Sequence, residues 1–129
     1  MVLDASVVLE VILRTPESDA IADRILSSRE RLHAPHLLDL EVAQVLRRYV
    51  AHNEVTEPRG REALDVLSVF PLTRYSHEPL LNRIWALRER LTAYDAAYVA
   101  LAEALGDTLL TRDRRLARTT GIRTRIEVV

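Results

Sequence analysis

A helix followed by a short apolar strand, with an acid at each boundary, constrains the fold more than any other stretch of the chain. It spans residues 91–113 and reads LTAYDAAYVALAEALGDTLLTRD. Thr92 is an N-cap candidate with Asp95 three residues later, and the Ala- and Leu-rich run after it favours a helix that ends at a glycine. Residues 108–111 have the composition of a strand, and Asp113 follows where a parallel strand passes into its next loop. Two carboxylates therefore bracket one αβ unit.

The same alternation of short apolar strands and longer helices extends over the whole chain. Strands are predicted at 2–3, 32–34 (ended by Pro35), within 70–75, at 108–111 and at 126–129. Helices are predicted from 5 to 13, 18 to 28, 37 to 52, 57 to 69, 76 to 91 and 92 to 105, with a helical turn at 114–118. This order predicts an α/β fold with a short-stranded parallel sheet between two layers of helices. No linker interrupts it, so residues 1–129 are expected to form a single domain.

The composition excludes several classes of chemistry. All 18 basic residues are Arg, and the absence of Lys excludes a P-loop, a Schiff base and a receiver-type phosphorylation site. The absence of Cys excludes disulfides, a thiolate nucleophile and a Cys-type zinc site, and it fits a reducing compartment. There is no signal-peptide pattern and no apolar run of the roughly 20 residues that span a bilayer. A cytoplasmic location without membrane attachment is expected.

Four acids are predicted to converge. Asp4 and Asp113 each follow a strand, and ligands of open α/β sheets bind at the carboxyl ends of strands. Asp95 shares a helix face with apolar residues, and Glu41 lies beside the apolar stripe of the third helix. Carboxylates brought together must be neutralised by protons or a cation, and hard oxygen ligands suit Mg²⁺ or Mn²⁺. Such an ion activates water for phosphodiester cleavage.

Four arginines surround the last of these acids. Arg112, Arg114, Arg115 and Arg118 form a basic cluster that is a candidate for contacts with a nucleic-acid backbone. A solvated surface explains the same cluster equally simply.

Each acid also has a structural explanation. Thr92 with Asp95 matches a capping box, Asp4 and Asp113 fit helix N-caps, and Glu41 alone is typical of a partly exposed helix acid. The combination of the four, and no single member, favours a metal site. The four histidines show no metal-binding spacing and are predicted to lie on the surface or in loops.

The sequence resembles PIN-domain ribonucleases, specifically VapC-type toxins of bacterial toxin–antitoxin pairs. The likeness covers the whole chain and rests on four motifs in order: VLDASVV, PHLLDLEVAQVLRR, LTAYDAAYVALAEALG and LLTRDRRLA. It implies a PIN-like α/β/α fold and a metal-dependent endoribonuclease that binds Mg²⁺ or Mn²⁺ through Asp4, Glu41, Asp95 and Asp113. Ser6 and Thr111 fall where the family has supporting hydroxyls. The resemblance further implies a homodimer, a cognate VapB-type antitoxin, and transfer or ribosomal RNA as substrate.

One position departs from the family pattern. Many relatives carry a further acid two residues past the last aspartate, and here that position is Arg115. A single well-bound ion, or a second one recruited by the substrate, is therefore expected. The same departure leaves an alternative open, a PIN-like module that binds RNA or protein without catalysis.

Overall fold

A five-stranded parallel sheet organises the protein. The computed structural model describes residues 1–129. The strands are β1 (Val2–Leu3), β2 (Leu32–Pro35), β3 (Leu72–Tyr75), β4 (Leu109–Thr111) and β5 (Ile126–Val128). Their order is β3-β2-β1-β4-β5, and every neighbouring pair is parallel. From β1 the chain adds β2 and β3 on one side, and it then adds β4 and β5 on the other side of β1. The strand order reverses between β1 and β4, where open α/β sheets form their ligand-binding crevice.

Six α-helices cover the sheet. They are α1 (Ala5–Leu13), α2 (Ser18–Ser28), α3 (Leu37–Ala51), α4 (Glu57–Val69), α5 (Leu81–Ala86) and α6 (Ala93–Leu105). Helices α1, α3 and α4 pack on one another with α2 against α1, while α6 packs on β1, β2 and β4 and carries α5. The predicted three-layer α/β/α architecture is confirmed. No helix combines the length and the apolar character needed to cross a membrane.

The central helix α6 is buried around most of its circumference. Seven consecutive residues, Ala96–Ala102, are at most 2% exposed. Small alanine side chains let the helix approach the sheet closely, and a helix that is apolar all round belongs in a protein interior. Strand β4 beside it is also fully buried, as expected for a parallel strand covered on both faces. The acids at the ends of α6 and β4 are therefore attached to rigid elements.

The ends of α6 lie where the sequence predicts. The Thr92 hydroxyl accepts a hydrogen bond of 3.1 Å from the Asp95 N–H. At the other end Gly106 adopts a left-handed conformation with φ of 64° and closes the helix.

Three local predictions are wrong. The fifth helix does not run from 76 to 91, because a 3₁₀ turn over Glu78–Leu80 precedes the short α5 and tight turns follow it. These turns bring Leu87 into the core, where it is 1% exposed. Pro35 is the last residue of β2, whereas the sequence predicts a strand that stops before it. His33 is not a surface or loop residue, since it lies on β2 with its ring 3.0 Å from the Tyr75 hydroxyl.

A partly buried ion pair fixes α5 to α6. Glu103 on α6 accepts two hydrogen bonds from Arg83 (2.6 and 3.0 Å) and one of 2.7 Å from the Arg123 N–H. Burial alone would raise the pKa of Glu103, but these donors outweigh it and lower the pKa below its ordinary value. The stability from Glu103 is thus present above the pKa of the unfolded chain and is lost as the pH falls through the lower folded value.

We expect Glu103→Gln to lower the free energy of unfolding at pH 7 by about 1.5–3 kcal/mol, because hydrogen bonds to a charged group are lost. The deficit should shrink as the pH falls below the ordinary pKa of a glutamate and through the lower pKa of folded Glu103, because the wild-type carboxylate then becomes protonated. Urea denaturation at several pH values measures both effects. Glu62→Gln is the matched control, because Glu62 is 53% exposed and its ion pair with Arg59 is a surface one. A pH-independent deficit would contradict this account.

Candidate active site at the sheet edge

All four predicted acids lie at the carboxyl edge of the sheet. Asp4 directly follows β1, and Asp113 comes two residues after β4. Glu41 is in the second turn of α3, the helix that starts after β2, and Asp95 is in the first turn of α6. A short turn joins the end of α6 to the start of β4, so the helix and the strand run in opposite directions. The start of α6 therefore lies at the edge of the sheet where β4 ends. The topology therefore brings together residues that are up to 109 positions apart.

Asp4 is the centre of a hydrogen-bond network made of hydroxyl groups. Its Oδ2 accepts from the Ser6 hydroxyl (3.1 Å) and from the Thr111 hydroxyl (2.5 Å). The Ser6 oxygen in turn accepts from the Arg112 N–H at 3.1 Å, and the Thr111 oxygen accepts from the Asp113 N–H at 3.0 Å. The network joins the ends of β1 and β4 and holds the Asp4 carboxylate in one orientation. Asp4 is also the N-cap of α1.

Tyr98 is a site residue that the sequence reasoning did not assign. Its side chain is 2% exposed, and its hydroxyl donates a 2.5 Å hydrogen bond to Glu41 Oε2. The bond links α6 to α3 and orients the Glu41 carboxylate. A signal was available, because a tyrosine on a buried helix face needs a partner for its hydroxyl and Tyr98 shares that face with Asp95.

The carboxylates influence one another electrostatically. Burial raises the pKa of Glu41, the Tyr98 hydrogen bond opposes it, and the charges of Asp4 and Asp95 raise it further. Burial likewise raises the pKa of Asp95, opposed by the Thr92 hydroxyl and reinforced by Asp4 and Asp113. Both groups thus hold their negative charge at a cost, which a cation would offset. Raised carboxylate pKa values in a cleft are typical of functional sites.

Asp113 behaves differently because Arg115 neutralises it. The Arg115 guanidinium donates to both carboxylate oxygens, from Nη2 to Oδ2 at 3.0 Å and from Nε to Oδ1 at 3.3 Å. The Arg115 backbone N–H adds a bond of 2.8 Å to Oδ1. These bonds lower the pKa of Asp113.

The donor set suits a hard divalent cation, but the side chains do not form a ready-made cage. Carboxylate oxygens are the ligands that Mg²⁺ and Mn²⁺ prefer. No three acidic, histidine or cysteine side chains lie close enough together to share one ion. Instead, Glu41 accepts a hydrogen bond from Tyr98, Asp4 from Thr111 and Asp113 from Arg115. Asp95 is fixed through its backbone N–H, which donates to Thr92. The chemistry fits a metal, and side-chain rotation would be needed to complete its coordination.

Two cavities share the acids between them. One of about 500 Å³ is lined by the polar residues Asp4, Ser6, Glu41 and Gln44 and by apolar side chains, chiefly Leu9, Leu37, Leu40, Val45 and Tyr94. The second, of about 320 Å³, is polar and is lined by Asp95, Asp113, Arg90, Arg115, Thr92 and Thr119. The acids thus line two cavities, two acids in each.

The four arginines after β4 are not equivalent. Arg112 is half-buried and lies 2.7 Å from Glu10 on α1, although the geometry of this contact is not that of a hydrogen bond. Arg115 is bound to Asp113. Arg114 and Arg118 are exposed and form no ion pair.

Comparison with known proteins assigns the family. The PIN domain pattern matches residues 1–122. The chain is 44% identical over 129 residues to Ribonuclease VapC1 of Mycobacterium tuberculosis, covering 99% of this chain and 96% of that protein. The chain belongs to the PIN-domain family, in its VapC group. The resemblance expected from the four motifs is confirmed.

Solved structures support the PIN fold. PAE2754 from Pyrobaculum aerophilum superimposes with a TM-score of 0.73 at 29% identity, covering 98% of this chain and 82% of that one. A toxin–antitoxin complex from Klebsiella pneumoniae matches with a TM-score of 0.66 at 20% identity, covering 98% and 95% of the two chains. The second comparison concerns the fold alone.

Proposed function

We propose that this PIN-domain protein is a VapC-type endoribonuclease toxin that hydrolyses RNA phosphodiester bonds with a divalent metal ion. The observation that carries the proposal is the convergence of four acids on the sheet edge at the β1/β4 crevice, two of them with pKa values raised by burial and by the charges of neighbouring acids. Relatives named as VapC ribonucleases, at 44% identity over nearly the whole chain, support the same activity.

The residues proposed to hold the ion are Asp4, Glu41, Asp95 and Asp113. When bound, Mg²⁺ or Mn²⁺ supplies activation of water and neutralisation of charge on the phosphate. Ser6 and Thr111 would keep the Asp4 carboxylate in one orientation through the bonds described above, and Tyr98 would do the same for Glu41. These donors leave Glu41 Oε1 without a hydrogen bond, while Asp4 Oδ1 accepts a long one of 3.3 Å from the Ser6 backbone N–H.

Arginines beside the acids are proposed to hold the RNA backbone. Arg114 and Arg118 are the better candidates for direct contact, because they are exposed and unpaired. Arg112 and Arg115 belong to the same expected set, but each would first have to leave an acid of its own chain. Transfer and ribosomal RNA are the substrates suggested by the family resemblance.

A cognate VapB-type antitoxin is the proposed protein partner. The larger cavity offers an apolar wall next to Asp4 and Glu41, and its rim includes Leu40 and Tyr94, which are 72% and 62% exposed. An apolar surface beside an acidic site suits an inhibitor that covers the site. The Klebsiella pneumoniae structure, a toxin–antitoxin complex of the same fold, is consistent with such a partner.

The proposal includes a homodimer and a cytoplasmic location, with residues 1–129 acting as one PIN-like domain. Exposed apolar side chains on and near α5, Leu81 at 55% and Trp85 at 68%, supply a surface that self-association would bury. RNA and a reducing environment suited to a chain without cysteine both fit the cytoplasm.

Metal removal tests the proposed activity. Purified protein incubated with total RNA and Mn²⁺ or Mg²⁺ is expected to produce discrete fragments. A chelator should stop cleavage, and re-addition of the ion should restore it. Fragments that form equally in chelator, or no cleavage under any condition, would contradict the proposal.

The non-catalytic alternative also has an observation in its favour. Arg115 occupies Asp113, and no three acids are preassembled around a common point. A module that only binds RNA would retain RNA in a mobility-shift assay without shortening it in the metal experiment.

A further inference from the structure

Arg115 forms a forked pair with a proposed metal ligand of its own chain. Both oxygens of Asp113 receive a guanidinium N–H, and the pair is closed by a backbone N–H from the same residue. The fork uses the planar geometry that matches a carboxylate with two parallel hydrogen bonds. The guanidinium thus takes up the oxygens with which Asp113 would bind a cation.

The ion pair between Arg115 and Asp113 can also be broken at little energetic cost. The Arg115 side chain is 91% exposed, and its hydrogen bonds go only to Asp113. Rotation into solvent would therefore remove no packing from the core, and exposed ion pairs contribute little net stability. Arg112, by comparison, is 32% exposed and pairs with Glu10, which is 22% exposed, so that contact joins β4 to α1 structurally.

The position of the pair connects it to the rest of the site. Arg115 and Asp113 line the polar cavity of about 320 Å³ together with Asp95. A positive charge there is adjacent to two of the four acids, in a cavity separate from the one that Asp4 and Glu41 line. A cation entering the site meets Asp4, Asp95 and Glu41 without a basic side chain attached, but it meets Asp113 already paired.

We propose that Arg115 is an internal counter-ion that occupies Asp113 and must be displaced by the divalent cation, so that it sets the affinity of the site for metal. This inference rests on the proposed metal-dependent function and adds a positioning residue to it. A divalent ion has twice the charge of a guanidinium and binds carboxylate oxygens directly, so it displaces Arg115 from Asp113. The displacement costs part of the binding free energy, so the ion binds more weakly than it would to an unpaired Asp113. The displaced guanidinium is then free to meet a phosphate oxygen.

Calorimetric titration of Mn²⁺ into the full chain without RNA tests the exchange. Arg115→Gln removes the charge and the fork, and it should bind Mn²⁺ about three- to tenfold more tightly than wild type. Arg115→Lys keeps the charge without the fork and should fall between the two. Arg114→Gln is the matched control, because it removes the same charge one residue away without touching Asp113, and its change should stay below about twofold.

The outcomes separate the two proposals. Wild type that binds Mn²⁺ while Arg115→Gln binds no more tightly than wild type or than Arg114→Gln would overturn the counter-ion role and leave the proposed activity standing. Absence of Mn²⁺ binding in every variant, each shown to be folded by thermal denaturation, would overturn the metal-dependent function and the counter-ion role with it. Binding by Arg115→Gln but not by wild type would show that Arg115 blocks the site and is not displaced by the ion, and it would overturn the proposed exchange.

Discussion

Replacing Asp4 with asparagine is expected to reduce RNA cleavage by about 10³-fold or more. Asp4 interacts with both Glu41 and Asp95, since its negative charge raises the pKa of each. An amide is a poor ligand for a hard cation in place of a carboxylate, and losing several kcal/mol of charge stabilisation lowers the rate by about tenfold for each 1.4 kcal/mol. The measurement is the initial rate of cleavage of one RNA substrate at a fixed Mn²⁺ concentration.

Asparagine is the informative replacement because it isolates the charge. It caps a helix as well as aspartate does, and its amide oxygen accepts hydrogen bonds from Ser6 and Thr111, so the fold should persist. Asp23→Asn is the control, because Asp23 is an exposed acid on α2 that forms no ion pair. Cleavage by a folded Asp4→Asn protein above about a tenth of the wild-type rate would remove Asp4 from the site.

The second large effect concerns stability. Leu110→Ala should lower the free energy of unfolding by about 3–5 kcal/mol, since Leu110 is 0% exposed on β4, an interior strand between β1 and β5, and its truncation leaves a cavity under rigid neighbours. A protein of this size is stable by only about 5–15 kcal/mol. Urea denaturation measures the loss. Leu26→Ala on α2, where the side chain is 73% exposed, should cost less than about 0.5 kcal/mol.

A small effect at Leu110 would mean that β4 is not a buried interior strand. The site depends on that placement, because Thr111 follows Leu110 directly and its hydroxyl reaches Asp4 only if β4 pairs with β1.

The sequence predicted the parts of the structure that depend on local patterns and on topology. Asp4 and Asp113 follow short apolar runs, and parallel strands place such residues at one edge, so their convergence was predictable. The helix start at Thr92 and its end at Gly106 follow from capping chemistry, and both are confirmed. These predictions needed no knowledge of which side chains touch.

Side-chain contacts between elements that are distant in the chain could not be predicted from the sequence. The Tyr98–Glu41 bond joins residues 57 positions apart and depends on how α6 packs against α3. The arginine cluster was treated as one surface, whereas Arg112 and Arg115 each pair with an acid and only Arg114 and Arg118 remain unpaired. The premature end of the fifth helix reflects the burial of Leu87, a tertiary effect that overrides helix propensity.

The central claim is that the sheet-edge acids together hold a divalent cation, and Mn²⁺ titration of the Asp95→Asn protein tests it most directly. Asp95 is an acid on α6 whose charge interacts with Asp4 and Asp113, while its backbone cap at Thr92 does not require the carboxylate. The account predicts that wild type binds Mn²⁺ and that folded Asp95→Asn loses most of this binding. Equal Mn²⁺ affinity in the two proteins would contradict it.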